Sequence, residues 1–223
     1  MAWQEGIIKF RNEFKEGPPL ESRTLRELDS WRRILYQTEL IGQTPNKYAG
    51  AGYGNVSQIL KPYDTPVNKR RFIITGSQTS HLSHLTEKHY PIVLEYYFKK
   101  NLVVTEGPMV ASSESMTHGS IYDLDDSTRF IFHSHSSYIW KSSKKLEIPT
   151  TRETIEYGTP EMVEEVQRLF RDTKIKDLHI FSMGGHEDGI FTFGETSEQA
   201  GLVMLKYLAR SMLLYNFSSN CNP

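Results

Sequence analysis

Cysteine is almost absent from this chain of 223 residues, which contains a single one, Cys221. One thiol cannot form an intrachain disulfide, and no second cysteine is available to share a metal site, so a reducing compartment is expected.

Long apolar runs are absent too. No segment approaches the roughly 20 apolar residues that a membrane helix needs, and the N-terminal segment, charged at Glu5, Lys9 and Arg11, does not resemble a signal sequence. We therefore expect a cytoplasmic protein that does not bind membranes.

An excess of charge of either sign is also missing. The chain has 26 basic and 27 acidic residues and a formal net charge of -1, so no overall field attracts nucleic acid. Hydrophobic residues make up 38% and charged residues 24%, as in globular proteins. The length suffices for one domain with a well-buried core. We expect a single domain over residues 1–223, with residues 1–20 an N-terminal extension that ends at Gly17-Pro18-Pro19.

Apolar periodicity and turn residues predict helices and strands in irregular alternation. A capping-box pattern from Thr24 to Glu27 precedes apolar residues at helical spacing and predicts a helix over 24–41, followed by a glycine-rich loop, KYAGAGYGNVSQ. Further helices are predicted over 112–122, from Thr159 onward and over 197–215. Strands are predicted over 71–75, 91–98, 102–105, 129–135, 178–183 and 189–193. This order favours a mixed sheet covered by helices.

Two histidines stand one residue apart at the end of the apolar run FIFHSH. If the run is a strand, His133 and His135 project from the same side, with their bases about 6.5 Å apart. That spacing lets two ring nitrogens converge on one ion. It equally suits two polar positions on a half-buried strand, and taken alone it favours that ordinary interpretation.

Four other segments concentrate residue types that carry chemistry. GYGNVS and the glycine-serine pair after the strand at 71–75 can bind an anion through backbone N–H groups. Ser112 and Ser113 stand at the start of the helix predicted over 112–122, where they can cap it and the first-turn N–H groups can bind a phosphate, and Glu114 would lie in that first turn. His186 lies between glycines in a bend between two strands. Taken singly, the first three segments favour an ordinary interpretation, as polar turns or as a glutamate that stabilises the helix dipole, and the bend at His186 fits a structural and a functional role equally well.

Taken in order, these motifs resemble those of the class II aldolase and adducin-head family. The resemblance extends from about residue 25 to residue 207, and its most specific parts are Ser112-Ser113-Glu114 followed by His118, and Phe132-His133-Ser134-His135. The resemblance implies an α/β fold with three α/β/α layers and a central mixed, largely antiparallel sheet. It also implies a homotetramer with the active site between subunits.

The resemblance implies a site for one divalent ion, with zinc expected and manganese as the alternative. The ligands would be His133, His135 and His186, with Glu114 as a metal neighbour that becomes the acid/base group. Relatives carry a proton-donating tyrosine in the connection after the paired histidines, where this chain has Tyr138 and Tyr157. The residues matching the phosphate site of relatives are Asn55, Ser57, Gly76, Ser77, Ser112 and Ser113.

This chain departs from its relatives at Glu187 and Asp188, which stand where glycine usually follows the histidine directly. These two carboxylates either face solvent in a turn or shift the metal preference toward a harder ion such as manganese.

The function implied is that of an aldolase-type lyase, which cleaves a small ketose, phosphorylated or not, through a metal-stabilised enediolate. The partner would be that small hydroxy-carbonyl substrate, not nucleic acid. An epimerase or a dehydratase on the same scaffold is an alternative, because these activities differ in peripheral acids and bases. A non-catalytic binding module like the adducin head is a third interpretation. A two-metal hydrolase is a fourth and would need further acidic ligands.

Overall fold

The structure is a computed structural model that describes the backbone of residues 6–219 and the side chains as far as residue 215. Cys221 lies outside the described residues. Within them the helices are α1 (Ser22–Gln37), α2 (Ser115–Leu124), α3 (Ser137–Ser142), α4 (Pro160–Asp172), α5 (Ile175–Leu178) and α6 (Ser197–Ser219). The strands are β1 (Arg11–Glu16), β2 (Gly42–Gln43), β3 (Gly52–Tyr53), β4 (Asn55–Ile59), β5 (Phe72–Ile74), β6 (Ile92–Tyr97), β7 (Leu102–Gly107), β8 (Phe130–His135), β9 (Ile180–Ser182) and β10 (Gly189–Gly194).

Eight of these strands form one sheet in the order β1-β7-β6-β5-β4-β8-β10-β9, while β2 and β3 pair separately. Every neighbouring pair in the large sheet is antiparallel except β1 and β7, which run parallel. The prediction of a mixed, largely antiparallel sheet is therefore confirmed. The parallel edge strand β1 comes from the segment that the sequence suggested as an N-terminal extension.

Side chains that alternate along the central strands fill two separate cores. On β8, Ile131 packs into a core completed by apolar residues of α2 and α4. Its neighbours Phe130 and Phe132 pack on the opposite face, where α1, α3 and α6 cover the sheet. Because both faces are buried, the sequence of β8 is continuously apolar before its histidines. The result is the predicted α/β/α arrangement.

Helix starts were predicted correctly at α4 and wrongly at α1. The Thr159 side chain accepts a hydrogen bond from the Met162 backbone N–H, with Pro160 in the first turn, as expected for an N-cap. The first helix instead begins at Ser22 with Glu21 as its N-cap, so Thr24 lies inside the first turn and caps nothing. It also ends at Gln37, short of the predicted residue 41, because Glu39 takes a left-handed backbone conformation with φ of 58°.

The prediction of a loop over KYAGAGYGNVSQ is wrong for its second half. Asn55 to Ile59 form β4, which pairs with both β5 and β8 near the middle of the sheet. The polar residues of this segment indicated a loop, but Val56 and Ile59 are buried and Asn55 and Ser57 find hydrogen-bond partners inside the protein.

No helix of the described residues has the length and apolar character needed to cross a membrane.

Candidate active site

Three histidines from two parts of the chain meet at one end of the sheet. His133 and His135 lie on β8, and His186 lies in the turn between β9 and β10. The Nε2 atom of His135 is 3.2 Å from Nε2 of His133 and 3.1 Å from Nε2 of His186. One nitrogen from each ring lies within 4.8 Å of the other two. A tetrahedral zinc with bonds of about 2.1 Å places its nitrogen ligands about 3.4 Å apart, so the three rings are spaced as ligands of one ion would be.

The glycines before His186 allow its turn to pack tightly. A Cβ added at Gly184 would lie 2.2 Å from the carbonyl oxygen of Thr151, and one at Gly185 would lie 2.2 Å from that of Ile155. A larger residue at either position would push the turn away from this backbone. The two glycines therefore fix where His186 can reach.

The hydrogen bond made by His133 sets its tautomer. Its Nδ1 lies 3.2 Å from the carbonyl oxygen of Ile190 on β10, which can only accept. Nδ1 therefore carries the proton and Nε2 presents its lone pair to the cluster, the arrangement found for metal-ligating histidines.

Burial keeps the three rings neutral. It lowers the pKa of His133 to about 3 and lowers the pKa of His135 and His186 well below the ordinary value of 6.5. Neutral imidazole is the form that binds a metal ion, so the cluster is ready to bind without losing a proton at neutral pH.

Glu114 adds a carboxylate to the same cluster. Its Oε1 atom lies 3.8 Å from Nε2 of His133 and 3.8 Å from Nε2 of His186. Its Oε2 atom accepts a hydrogen bond of 3.1 Å from Thr117, whereas Oε1 has no hydrogen-bond partner among the described residues. Burial raises the pKa of Glu114 to about 7, against the opposing effects of the Thr117 hydroxyl and the charge of Lys9. A carboxyl with this pKa can both give and take a proton near neutrality.

The residues present fit a divalent metal ion. Converging neutral nitrogens, whose lone pairs repel one another, and a buried carboxylate oxygen without a donor are both stabilised by a cation. His133, His135 and His186 would hold the ion and leave a position near Glu114 for substrate, as in catalytic sites with three protein ligands.

Asn55 and Ser57 lie next to the cluster and bond to a fourth buried histidine. The carbonyl oxygen of the Asn55 side chain is 2.6 Å from Nε2 of His118, and the Ser57 hydroxyl is 2.6 Å from Nδ1 of the same ring. Ser57 also lies 2.8 Å from the hydroxyl of Tyr122. Asn55 pairs directly with His133 across the sheet. His118 thus ties α2, which follows Glu114, to the strand beside the histidine cluster.

The other four residues predicted to bind phosphate lie together. Gly76 forms an isolated bridge with Ala111, and the Ser77 N–H donates to the carbonyl of Val110, which brings this loop beside Ser112 and Ser113. Both of these serines are buried, and they precede α2 with Glu114 as its N-cap. The structure therefore brings the two hydroxyl-rich loops together at the start of the helix.

The two tyrosines predicted as proton donors have different surroundings. Tyr157 is buried, its ring centroid is 4.6 Å from that of His186, and its hydroxyl accepts a hydrogen bond from the Ile7 N–H. Tyr138 is 39% exposed on α3 and packs edge-on against Tyr215. Within the described residues, Tyr157 is the one of the two whose ring contacts the histidine cluster.

Tyr48 was not among the residues expected at the site. For Asp188 the structure excludes one of the two alternatives, a turn residue that faces solvent. The Tyr48 ring packs edge-on against His135 at 4.8 Å, and its hydroxyl donates to Asp188 at 2.6 Å. Burial, followed by this hydrogen bond, raises the pKa of Tyr48 above its ordinary value. Asp188 is buried in a left-handed turn with φ of 63° and does not face solvent, whereas Glu187 is exposed. An aromatic residue at the start of the glycine-rich stretch was the one weak signal for Tyr48.

The fold and this site define an α/β protein with a buried set of three histidines and one glutamate. The family model described as the class II aldolase and adducin N-terminal domain matches residues 44–213, and the chain belongs to that family. The resemblance inferred from the motifs is confirmed. A search of curated proteins gives no match.

Solved structures resemble the chain at low identity. L-fuculose-1-phosphate aldolase from Thermus thermophilus is 20% identical, with a TM-score of 0.63 over 91% of this chain and 99% of that one. A sugar-phosphate aldolase from Thermotoga maritima is 16% identical, with a TM-score of 0.63 over 91% and 98% of the two chains. YgbL from Escherichia coli, named as an aldolase, epimerase or decarboxylase, is 14% identical, with a TM-score of 0.62 over 90% and 91%. Identities this low show that the fold is shared.

Proposed function

We propose that this protein is a metal-dependent lyase of the aldolase type that acts on a small ketose, with a phosphorylated ketose as the preferred substrate. The observation that carries the proposal is the unpartnered Oε1 atom of Glu114, 3.8 Å from two of three converging histidine nitrogens. Family membership and the likeness to solved sugar-phosphate aldolases support it.

The positions of the residues indicate the chemical role of the metal ion, of Glu114 and of Thr117. When bound, a divalent ion, for which zinc is the expected choice, supplies positive charge beside the carbonyl and hydroxyl oxygens of the substrate. Glu114 accepts the hydroxyl proton at Oε1 as the carbon–carbon bond breaks and returns it to the carbon left behind, which its pKa of about 7 permits. Thr117 holds the other carboxylate oxygen and so orients Oε1.

The substrate phosphate would be held by the paired loops at the start of α2. Gly76, Ser77, Ser112 and Ser113 supply small side chains and N–H groups there, close to the first turn of the helix. Asn55 and Ser57 remain in the proposed phosphate set, although both also bond to His118. Tyr157, in contact with His186, is the tyrosine favoured to donate a hydrogen bond to the substrate oxygen whose proton Glu114 takes, and Tyr138 could serve only if a neighbouring subunit presents it.

An epimerase or a dehydratase is the second candidate. Both use the same ion and acid/base carboxylate, and the structural likeness to YgbL, named as an aldolase, epimerase or decarboxylase, supports keeping this candidate. A non-catalytic module is disfavoured because the three histidines and Glu114 converge within the described site. A homotetramer located in the cytoplasm is part of the proposal and is supported by the family resemblance.

The decisive experiment is a screen of phosphorylated ketoses with zinc- or manganese-loaded protein, followed by analysis of the carbonyl products. Two fragments support the aldolase, a single isomer supports the epimerase, and loss of water supports the dehydratase. His186→Gln should lose the bound ion in elemental analysis, whereas His84→Gln, which changes an exposed histidine, should keep it. A wild-type protein that binds no divalent ion and turns over no ketose would contradict the proposal.

A further inference from the structure

A cavity of about 1140 Å³ is lined by residues other than the proposed ligands and acid/base group of the candidate active site, and its lining includes Gly184, two residues before His186. It is bounded by α3, the loop over residues 143–153, β9 and α6, on the face of the sheet covered by α3 and α6. None of the residues that line it belongs to the histidine cluster or to the predicted phosphate site. The proposed function therefore leaves this cavity unexplained.

The lining of the cavity combines an apolar wall with positive charge. The apolar wall is formed by Trp140, Leu146, Ile148, Pro149, Leu178 and Tyr207. Five basic residues, Lys141, Lys144, Arg152, Lys174 and Arg210, face two acidic ones, Glu147 and Glu153. This positive balance contrasts with the net charge of -1 of the whole chain. A surface of this kind attracts an anion that also carries an apolar body.

Three of the five cations have neither an ion-pair partner nor a cation–π contact within the described residues. Arg152 is engaged by Glu165, and Arg210 lies over the ring of Tyr207. The remaining three are lysines at positions 141, 144 and 174, on three different segments of the wall. Lysines from separate segments can approach one anionic group from several sides as point charges.

Ser182 provides a polar group at the buried end of the cavity. Its side chain is 1% exposed, it lines the cavity, and its Oγ has no hydrogen-bond partner among the described residues. Alternation along β9 places Ser182 on the same face as Ile180, which packs in the core beneath α6, and opposite Phe181. A buried hydroxyl without a partner costs free energy, which a ligand oxygen in the cavity would offset.

We propose that this cavity binds a small organic phosphate, with its apolar or aromatic body against Trp140 and Tyr207. The phosphate oxygens lie toward the free lysines and the Ser182 hydroxyl. A dianionic phosphate matches several separate lysines better than a single carboxylate does. The volume of about 1140 Å³ leaves room for a ligand of drug or nucleotide size.

The probe that tests this is 1-naphthyl phosphate, titrated calorimetrically into metal-loaded full-length protein. We expect it to bind at least tenfold more tightly than either 1-naphthol or inorganic phosphate, because each of these lacks one half of the recognised chemistry. The titrations are repeated with Ser113→Ala, so that binding to the predicted phosphate loops is recognised and subtracted. Binding in the cavity should be unchanged in that variant.

Two neighbouring lysines give a matched pair of variants. Lys144 lines the cavity and Lys145 does not, and both are exposed, so Lys144→Glu and Lys145→Glu make the same charge change on the same loop. Lys144→Glu should weaken binding about tenfold or more, and Lys145→Glu less than threefold. Ser182→Ala, which removes only a hydroxyl, should weaken it about fivefold.

The inference is overturned by any of three results. These are the absence of saturable binding at millimolar 1-naphthyl phosphate, equal affinity for 1-naphthol, and equal weakening by the two lysine variants. Sedimentation of the same variants adds a further check. If Lys144→Glu alone dissociates an oligomer, the cavity wall is an interface with a second copy, and the small-molecule site is rejected.

Discussion

Glu114 behaves unlike an ordinary buried glutamate because its two oxygens have different environments. Oε2 is fixed by Thr117, whereas Oε1 faces the histidine nitrogens without a hydrogen-bond donor. Burial of an isolated carboxylate is costly, and a protein tolerates it where a proton or a cation compensates. This pattern is expected of a carboxylate whose charge changes during turnover.

The first prediction concerns the Glu114→Gln variant, which keeps the shape of the side chain and removes its proton transfer. Turnover of the ketose that the wild-type protein accepts should fall by at least about 100-fold. The metal content should stay near that of the wild type, because the three histidines are untouched. Steady-state kinetics and elemental analysis on the same preparation test both statements. Wild-type turnover in this variant would exclude Glu114 as the acid/base group.

A second prediction separates two roles of Ser57. Because its hydroxyl links His118 to Tyr122 inside the protein, Ser57→Ala should lower the free energy of unfolding by about 1–3 kcal/mol in urea titrations. Ser83→Ala, at an exposed serine, should change it by less than about 0.5 kcal/mol. A role in phosphate binding would also raise KM for a phosphorylated substrate. Equal stability of the two variants would contradict the structural role.

The residue types of the site could be predicted from the sequence, but most of their contacts could not. His133, His135, His186 and Glu114 were singled out because their short motifs, taken in order, resemble those of the family. The hydrogen bond from His133 to Ile190 depends on the register of β8 against β10, which no local pattern specifies. The approach of Tyr48 to His135 depends likewise on tertiary packing, and no local motif specifies that contact.

At the scale of elements, strongly periodic segments were predicted well and polar ones were not. The apolar face of α4 and its capping threonine agree with the structure. The failure at β4 has a physical cause: Asn55 and Ser57 are polar, yet they occupy a central strand because His118 on α2 supplies their hydrogen bonds. Propensity describes a strand in isolation, and here a tertiary partner overrides it.

A third prediction uses the two threonines that both looked like helix caps. Thr159→Ala removes the acceptor for the Met162 N–H and should lower the free energy of unfolding by about 1 kcal/mol. Thr24→Ala, inside the first turn of α1, should change it by a few tenths of a kcal/mol, because its side chain caps nothing there. Urea unfolding of both variants measures the difference. A larger loss for Thr24→Ala would restore the cap inferred from the sequence.

For the whole molecule, four histidines buried without charge link stability to pH. Burial lowers the pKa of His118, His133, His135 and His186 below its ordinary value of 6.5. Just below pH 6.5 these rings are therefore protonated in the unfolded chain but still neutral in the folded, metal-free protein. Each proton that the unfolded chain binds and the folded protein does not lowers the free energy of unfolding by about 1.4 kcal/mol for each unit by which the pH falls. Glu114 acts in the opposite direction, because its raised pKa makes the folded state bind a proton between about pH 7 and its ordinary value of 4.5.

The fourth prediction follows from this balance of four histidines against one glutamate. Below pH 6.5 the metal-free protein should lose stability by about 4 kcal/mol per pH unit, enough to unfold a typical domain by about pH 5. A thermal scan of chelator-treated protein between pH 7.5 and 5 measures the loss. Saturating zinc should raise the Tm at each pH, because the ion binds the folded state. The exposed His84 makes His84→Gln a matched control, which should leave the slope unchanged. A Tm that stays constant between pH 7 and 5.5 would mean that the buried rings take up protons while folded, and the cluster would then not be poised to bind a cation.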